Sequence, residues 1–174
     1  MDAAHFVHGA FLGHLWSTER LFIPTPSGRS RFNVLGAVNA ITKDVVSIEN
    51  TDYINSLSVC ELLVKLKHRS IGVPITVVLD NARYQTCKCV TELAEEIGIE
   101  LLFLPPYSPN LNLIERLWKF VKKKYLNSIY YPTFEEFCVA IRKAIEPTKE
   151  NLTELETLLS LKFQTFSNVK ISTV

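Results

Sequence analysis

Two short apolar runs, PITVVLD (74–80) and IELLFL (99–104), constrain what this chain can become more than any other feature. Both have strand length and stop abruptly, the first on Asp80 and the second on Pro105-Pro106. Between them Val90, Leu93, Ala94 and Ile97 recur at helical spacing, and Gly98 stands where a glycine ends a helix. Ahead of them, RFNVLGAVNAI (31–41) and DVVSIEN (44–50) are β-rich and joined by Thr42-Lys43-Asp44, which reads as a hairpin. Val59, Leu62, Leu63 and Leu66 form an apolar helical stripe, with Asn55 as N-cap and Gly72 as its stop. Strands that alternate with helices after an initial hairpin predict a mixed sheet in an α/β domain.

The 174 residues suffice for one domain with a real core. No apolar run approaches the ~20 residues that span a bilayer, so no membrane partner is expected. The start of the chain lacks the charged-then-apolar pattern of a signal peptide, and a cytoplasmic protein is expected. Cys60, Cys87, Cys89 and Cys138 show no C-x-x-C spacing and read as buried thiols in a reducing cytosol. Cys87 and Cys89, two apart on an expected helix, should not face each other. The net charge of +1 neither invites nor forbids nucleic acid, but Arg116 to Tyr125 holds five basic residues and no acid.

Asp80 raises a question of its own. An acid at a strand exit either accepts backbone hydrogen bonds in a turn or is a carboxylate held rigidly for chemistry. The stretch LPPYSPNLNLIERLWKFVKKK (104–124) bears on the choice. Ser108 or Asn110 can cap the helix it predicts, with Pro109 in the first turn. At about 100° per residue, Leu113, Ile114, Leu117, Trp118, Phe120, Val121 and Tyr125 fill one arc. Glu115, Lys119 and Lys122 share the opposite face, flanked by Arg116 and Lys123. That face is either a solvated surface with a Glu115–Lys119 pair, or an acid among bases facing a polyanion. His5, His8 and His14 read as surface or core histidines and Trp118 as core. Arg29 and Arg31, beside Gly28, either reach phosphate or line a solvated loop. Thr133 and Glu136 can open TFEEFCVAIRKAIE (133–146) as a capping box, and more helix follows near 150–160.

The stretches LDNARYQ and LPPYSPNLNLIERLWKFVKK resemble the second and third motifs of DDE transposases of the mariner-like superfamily. They are most similar to the bacterial insertion-sequence branch called six-thirty. MDAAHFVHGAFLGHLWS resembles that branch's first motif, which makes Asp2 its first acid. The resemblance covers nearly the whole chain. It implies a ribonuclease H-like fold, a five-stranded mixed sheet flanked by helices. Residues 1–130 would form the catalytic domain and 131–174 a C-terminal helical extension. Asp2 would lie on the first strand, Asp80 at the end of the fourth and Glu115 on the helix after the fifth. Together they would be catalytic residues that hold two Mg²⁺ or Mn²⁺ ions, hard cations suited to carboxylates. The partners would be DNA, both transposon ends and target, with Arg116, Lys119, Lys122, Lys123, Arg29 and Arg31 as phosphate contacts.

Two departures accompany the resemblance. The family pattern places a helix-turn-helix segment upstream and the first acid within a strand, so a chain that starts at Met1-Asp2 is expected to lack that segment and part of that strand. The expectation is a catalytic part that works as a homo-oligomer or with an upstream transposase half carrying the helix-turn-helix. A chain so cut should be poor in catalysis alone. The competing class is an inactive remnant that acts, if at all, by associating with full-length transposase. A phosphoacceptor domain fits less well, because LLFLPP ends without Lys. A dinucleotide-binding enzyme fits less well still, because no G-x-G-x-x-G follows a strand.

Overall fold

The computed structural model describes residues 1–9, 16–20, 22, 30–70, 72–106, 108, 111–146 and 149–162, without the side chains of 149–152. Strands β1 (Asp2–Val7), β2 (Arg31–Val38) and β3 (Val45–Asn50) form an antiparallel sheet in that order. Strands β4 (Ile75–Leu79) and β5 (Ile99–Phe103) pair in parallel. Helix α1 (Ser56–Arg69) joins β3 to β4, and α2 (Lys88–Glu96) joins β4 to β5. After β5 come α3 (Leu113–Val121), a π-helical turn (Lys122–Leu126), α4 (Phe134–Ile145) and α5 (Lys149–Leu158). This is the mixed α/β architecture expected.

The five strands do not form one continuous ladder. They stand as a three-stranded and a two-stranded sheet. Between the two, the Met1 nitrogen donates to the Val78 carbonyl at 2.7 Å. The start of β1 therefore lies beside the end of β4.

Two apolar cores account for the layers. Successive side chains of a strand point to opposite faces, and β2 shows the rule. Phe32 and Val34 enter a core with α3, α4 and α5, whereas Leu35 and Ala37 enter another with α1, α2, β4 and β5. α4 and α5 therefore complete the core that seats α3. Among the described residues no helix is long and apolar enough to cross a membrane.

Local chemistry sets most element ends. Asn55 caps α1 through a reciprocal capping box with Ser58, and Thr133 does the same for α4 with Glu136. Gly98, at φ 66°, takes the left-handed conformation that ends α2. α1 stops earlier than expected, its backbone capped at Ser70 rather than at Gly72. α3 also starts later than expected. Its N-cap is Asn112, not Ser108, while Pro109 and Asn110 lie outside the described residues. The π-helical turn, closed by Asn127 N–H on the Lys122 carbonyl at 2.8 Å, inserts one residue into the helical phase. The helical phase therefore shifts beyond Val121, although Lys122 and Lys123 keep the exposure expected and Tyr125 still packs against the core.

Candidate active site

Three acids arrive from three separate elements. Asp2 opens β1, directly opposite Gly36 on β2. Asp80 is the first residue after β4. Glu115 lies in the first turn of α3.

Short contacts hold the exits of β4 and β5 together. Leu104 N–H donates to the Leu79 carbonyl at 2.8 Å, and the Asn81 amide donates to the Leu104 carbonyl at 2.6 Å. Asp80 accepts from Ala82 N–H at 3.2 Å, so it does start a turn. Its placement for chemistry does not compete with that role, because one oxygen in the turn leaves the other open. A cleft of about 290 Å³ runs from Asp80, Asn81 and Ala82 past Leu104, Pro105, Pro106 and Ser108 to Asn112 and Glu115. Asp2 does not line it.

Electrostatics tie Asp2 to the other two. Burial, with added repulsion from Asp80 and Glu115, pushes the Asp2 carboxyl up to about 6 from 3.8, against a hydrogen bond from Ala3 N–H and the nearby amine. Glu115 is pushed up by burial and by Asp80, while Lys119 opposes the rise. The Tyr84 phenol is raised by burial and by both aspartates, against a hydrogen bond from Gln85. Asp2 thus senses the other two acids, and Glu115 senses Asp80.

The donor set suits a hard divalent cation: three carboxylates that repel one another, with no thiol or imidazole among them. As they stand, no three His, Cys, Asp or Glu side chains among the described residues are arranged to hold a metal ion.

Two residues that the sequence pattern did not single out position these acids. Asn112 is buried, and its side-chain amide donates to the Met1 carbonyl at 3.2 Å rather than capping its own helix. It links the start of Glu115's helix to the residue before Asp2. Gly36 is the second. A Cβ there would lie 2.9 Å from Trp118 Cη2 and 3.0 Å from Ile114 Cδ1. Its missing side chain lets α3 sit close to the sheet beside Asp2. The asparagine directly before the Leu-Ile-Glu helix could have drawn notice as a cap; nothing local marks Gly36.

The basic residues divide. Lys119, Lys122 and Lys123 are exposed, as is Arg31 at the start of β2. Arg116, expected at phosphate, instead donates to the carbonyls of Leu158, Ser160 and Lys162 at 2.8 to 3.2 Å. Its guanidinium satisfies the C-terminal end of α5, so the phosphate role is not carried forward. Lys124 pairs with Glu154 at 2.8 Å. Arg29 and His14 lie outside the described residues. His5 bonds Asn33 at 2.7 Å, and His8 is buried against Phe134 and Phe137. Trp118 is core, edge-on to Phe6 at 6.2 Å.

Comparison with known proteins bears on the family and the fold. The sequence matches the DDE superfamily endonuclease family over residues 2–138. It is 28% identical over 79 residues to an uncharacterized protein, y4pE/y4sA, of Sinorhizobium fredii (strain NBRC 101917 / NGR234). That match covers 43% of this chain and 56% of the relative. The Mos1 mariner paired end complex with Mn superposes with a TM-score of 0.63 at 15% identity, covering 91% of this chain and 51% of that one. The Mos1 transposase catalytic domain, solved with raltegravir and Mn, gives 0.54 at 14% identity, covering 79% and 78%. A simian T-cell lymphotropic virus intasome chain gives 0.52 at 16%, covering 99% and 58%. These similarities show a shared fold, and the chain spans about half the length of several of these proteins.

Proposed function

We propose, since the chain belongs to the DDE superfamily endonuclease family, that it is a transposase catalytic domain for metal-dependent DNA cleavage and strand transfer at insertion-sequence ends. The observation that carries this reading is the electrostatic coupling of Asp2 and Glu115 to Asp80, three acids from three elements. In this reading they are the catalytic residues and the ligands of two Mg²⁺ or Mn²⁺ ions. Bound there, the ions would activate the attacking oxygen and stabilise the leaving oxygen of an in-line displacement at phosphorus.

The chain's own residues do the positioning. β1 and β4 hold the two aspartates on rigid strand ends, and the Met1–Val78 bond supports reading the strands as one five-stranded sheet, β3-β2-β1-β4-β5. Asn112 and Gly36 hold α3 so that Glu115 faces them. Exposed Lys119, Lys122, Lys123 and Arg31 supply positive charge for a phosphate backbone. Recognition of the element's ends falls to a helix-turn-helix segment, and the chain works as a homo-oligomer or with an upstream transposase half that carries it.

The test is Mn²⁺-dependent nicking of supercoiled plasmid. Glu115→Gln should slow nicking about a thousandfold, equal to roughly 4 kcal/mol of barrier. Equal rates for the two proteins would overturn the assignment of Glu115.

DNA binding gives a separate prediction. Duplex affinity should be indifferent to sequence and should fall steeply with salt, by roughly 0.9 in log–log slope per neutralised phosphate. Replacing Lys119, Lys122 and Lys123 together by Ala should flatten that slope by about 2 to 3. An unchanged slope in fluorescence anisotropy would place the phosphate contacts elsewhere.

A further inference from the structure

Outside the acid cluster, three thiols meet near the starts of α1 and α2. The Cys87 and Cys89 sulfurs lie 3.2 Å apart, and Cys60 on α1 points its sulfur at the Cys89 carbonyl at 3.8 Å. This reverses the expectation that Cys87 and Cys89 face apart. Cys87 is the N-cap of α2 with extended backbone, φ −72° and ψ 156°, so helical phase begins only at Lys88. The extended residue swings its side chain back over the first turn. No cap hydrogen bond engages the Cys87 sulfur at the helix end.

Against the expectation of buried thiols, the four differ in access. Cys89 is exposed, Cys60 and Cys87 are partly buried, and Cys138 is buried in the other core. The Cys89 thiol is held below its usual range, first by its hydrogen bond with Cys87 and then by bonds with Ser56 and Cys60. It also sits in the first turn of α2, where the helix dipole favours a thiolate. An accessible thiolate beside a second thiol is the arrangement of a peroxide-reactive pair.

We propose that Cys89 and Cys87 form an oxidative modification site, with Cys89 as the thiol that reacts with peroxide and Cys87 as the thiol that resolves it. The Cys89 thiolate attacks one oxygen of hydrogen peroxide. The O–O bond breaks, Cys89 becomes a sulfenic acid, and the departing hydroxide takes up a proton to leave as water. The Cys87 sulfur then attacks the Cys89 sulfur, forming the S–S bond and releasing the sulfenic oxygen as a second water. Two thiols lose two electrons and two protons, and one peroxide becomes two waters. Nothing in this chemistry involves Asp2, Asp80 or Glu115, so it stands whether or not the chain cleaves DNA.

Peptide mapping of the full chain tests it. Trypsin cuts after Arg83, Lys88 and Arg116, which places Cys87 in fragment 84–88 and Cys89 in fragment 89–116. After treatment with a few equivalents of hydrogen peroxide and blocking of free thiols, these fragments should appear joined and two hydrogens light. If the bridge blocks the cut at Lys88, fragment 84–116 should carry the same loss. Dithiothreitol should separate or restore them, and Cys138 should stay reduced. Cys87→Ser should leave Cys89 as a sulfenic acid that dimedone traps, and Cys89→Ser should slow thiol loss at least tenfold. Independent blocking of both cysteines after peroxide, or a bridge from Cys89 to Cys60 instead, would overturn the proposal; the wild-type map gives that answer even if a variant folds poorly.

Discussion

Gly36→Ala should lower both the stability of the chain and its affinity for Mn²⁺, although residue 36 touches no metal. The added methyl would stand 2.9 Å from Trp118 Cη2, closer than real carbon contacts come, and 3.0 Å from Ile114 Cδ1, tighter than nearly all of them. Both atoms belong to fully packed side chains of α3, so relief requires the helix to move off the sheet. Overpacking of this kind costs about 1–3 kcal/mol, and the movement carries Glu115 away from Asp2. Urea unfolding and Mn²⁺ titration would measure the two effects. Trp118→Phe supplies the control, because it removes ring volume at the clash. It also removes an indole N–H that is buried with no partner among the described residues, so its own cost should be small for a core aromatic. Gly36→Ala combined with Trp118→Phe should then be more stable than the sum of the single changes predicts, by about 1 kcal/mol or more. Strict additivity would mean that the close approach of α3 to Gly36 has no energetic weight.

The same residues mark where reading the sequence succeeds and where it stops. Asn55, Gly98 and the Thr133–Glu136 pair act within a few residues of themselves. Their roles follow from local backbone chemistry, and a sequence displays them. Asp80 and Glu115 could be placed because strand ends and helix faces are periodic features. Arg116 could not. Its partners are the carbonyls of Leu158, Ser160 and Lys162, set by how α5 packs on α3, and no pattern around residue 116 contains that information. Lys124 and Glu154 fail for the same reason. The cysteine pair was misread for a different one: the helix was assumed to include residue 87, and a one-residue shift of its start turns the sulfurs toward each other. The π-helical turn shifts the helical phase beyond Val121, yet Lys122 and Lys123 remain exposed as expected.

Asp2→Asn should stabilise the metal-free chain at neutral pH, an unusual outcome for replacing a residue of a proposed active site. Its carboxyl titrates near 6 in the folded chain against 3.8 when free. The folded state therefore holds the proton more tightly than the unfolded state. That contribution is fully present below pH 3.8 and is lost as the pH rises through about 6. The difference corresponds to as much as about 3 kcal/mol, a large part of the 5–15 kcal/mol that typically holds a domain together. Wild-type stability should thus fall between pH 4 and 6 by more than that of Asp2→Asn, and the two should differ most above pH 6. Mn²⁺ should reverse the order. Bound by the acid cluster, it offsets the repulsion that raises the Asp2 pKa, and at a hundred times its dissociation constant it would add about 2.7 kcal/mol to the wild type. Asp2→Asn, lacking one ligand, should gain far less at the same concentration. Urea midpoints at pH 4, 6 and 7.5, with and without Mn²⁺, distinguish the cases. Parallel pH profiles for the two proteins would show that Asp2 carries no strain from burial and from its neighbours. Equal gains from Mn²⁺ would show that the cation binds without it.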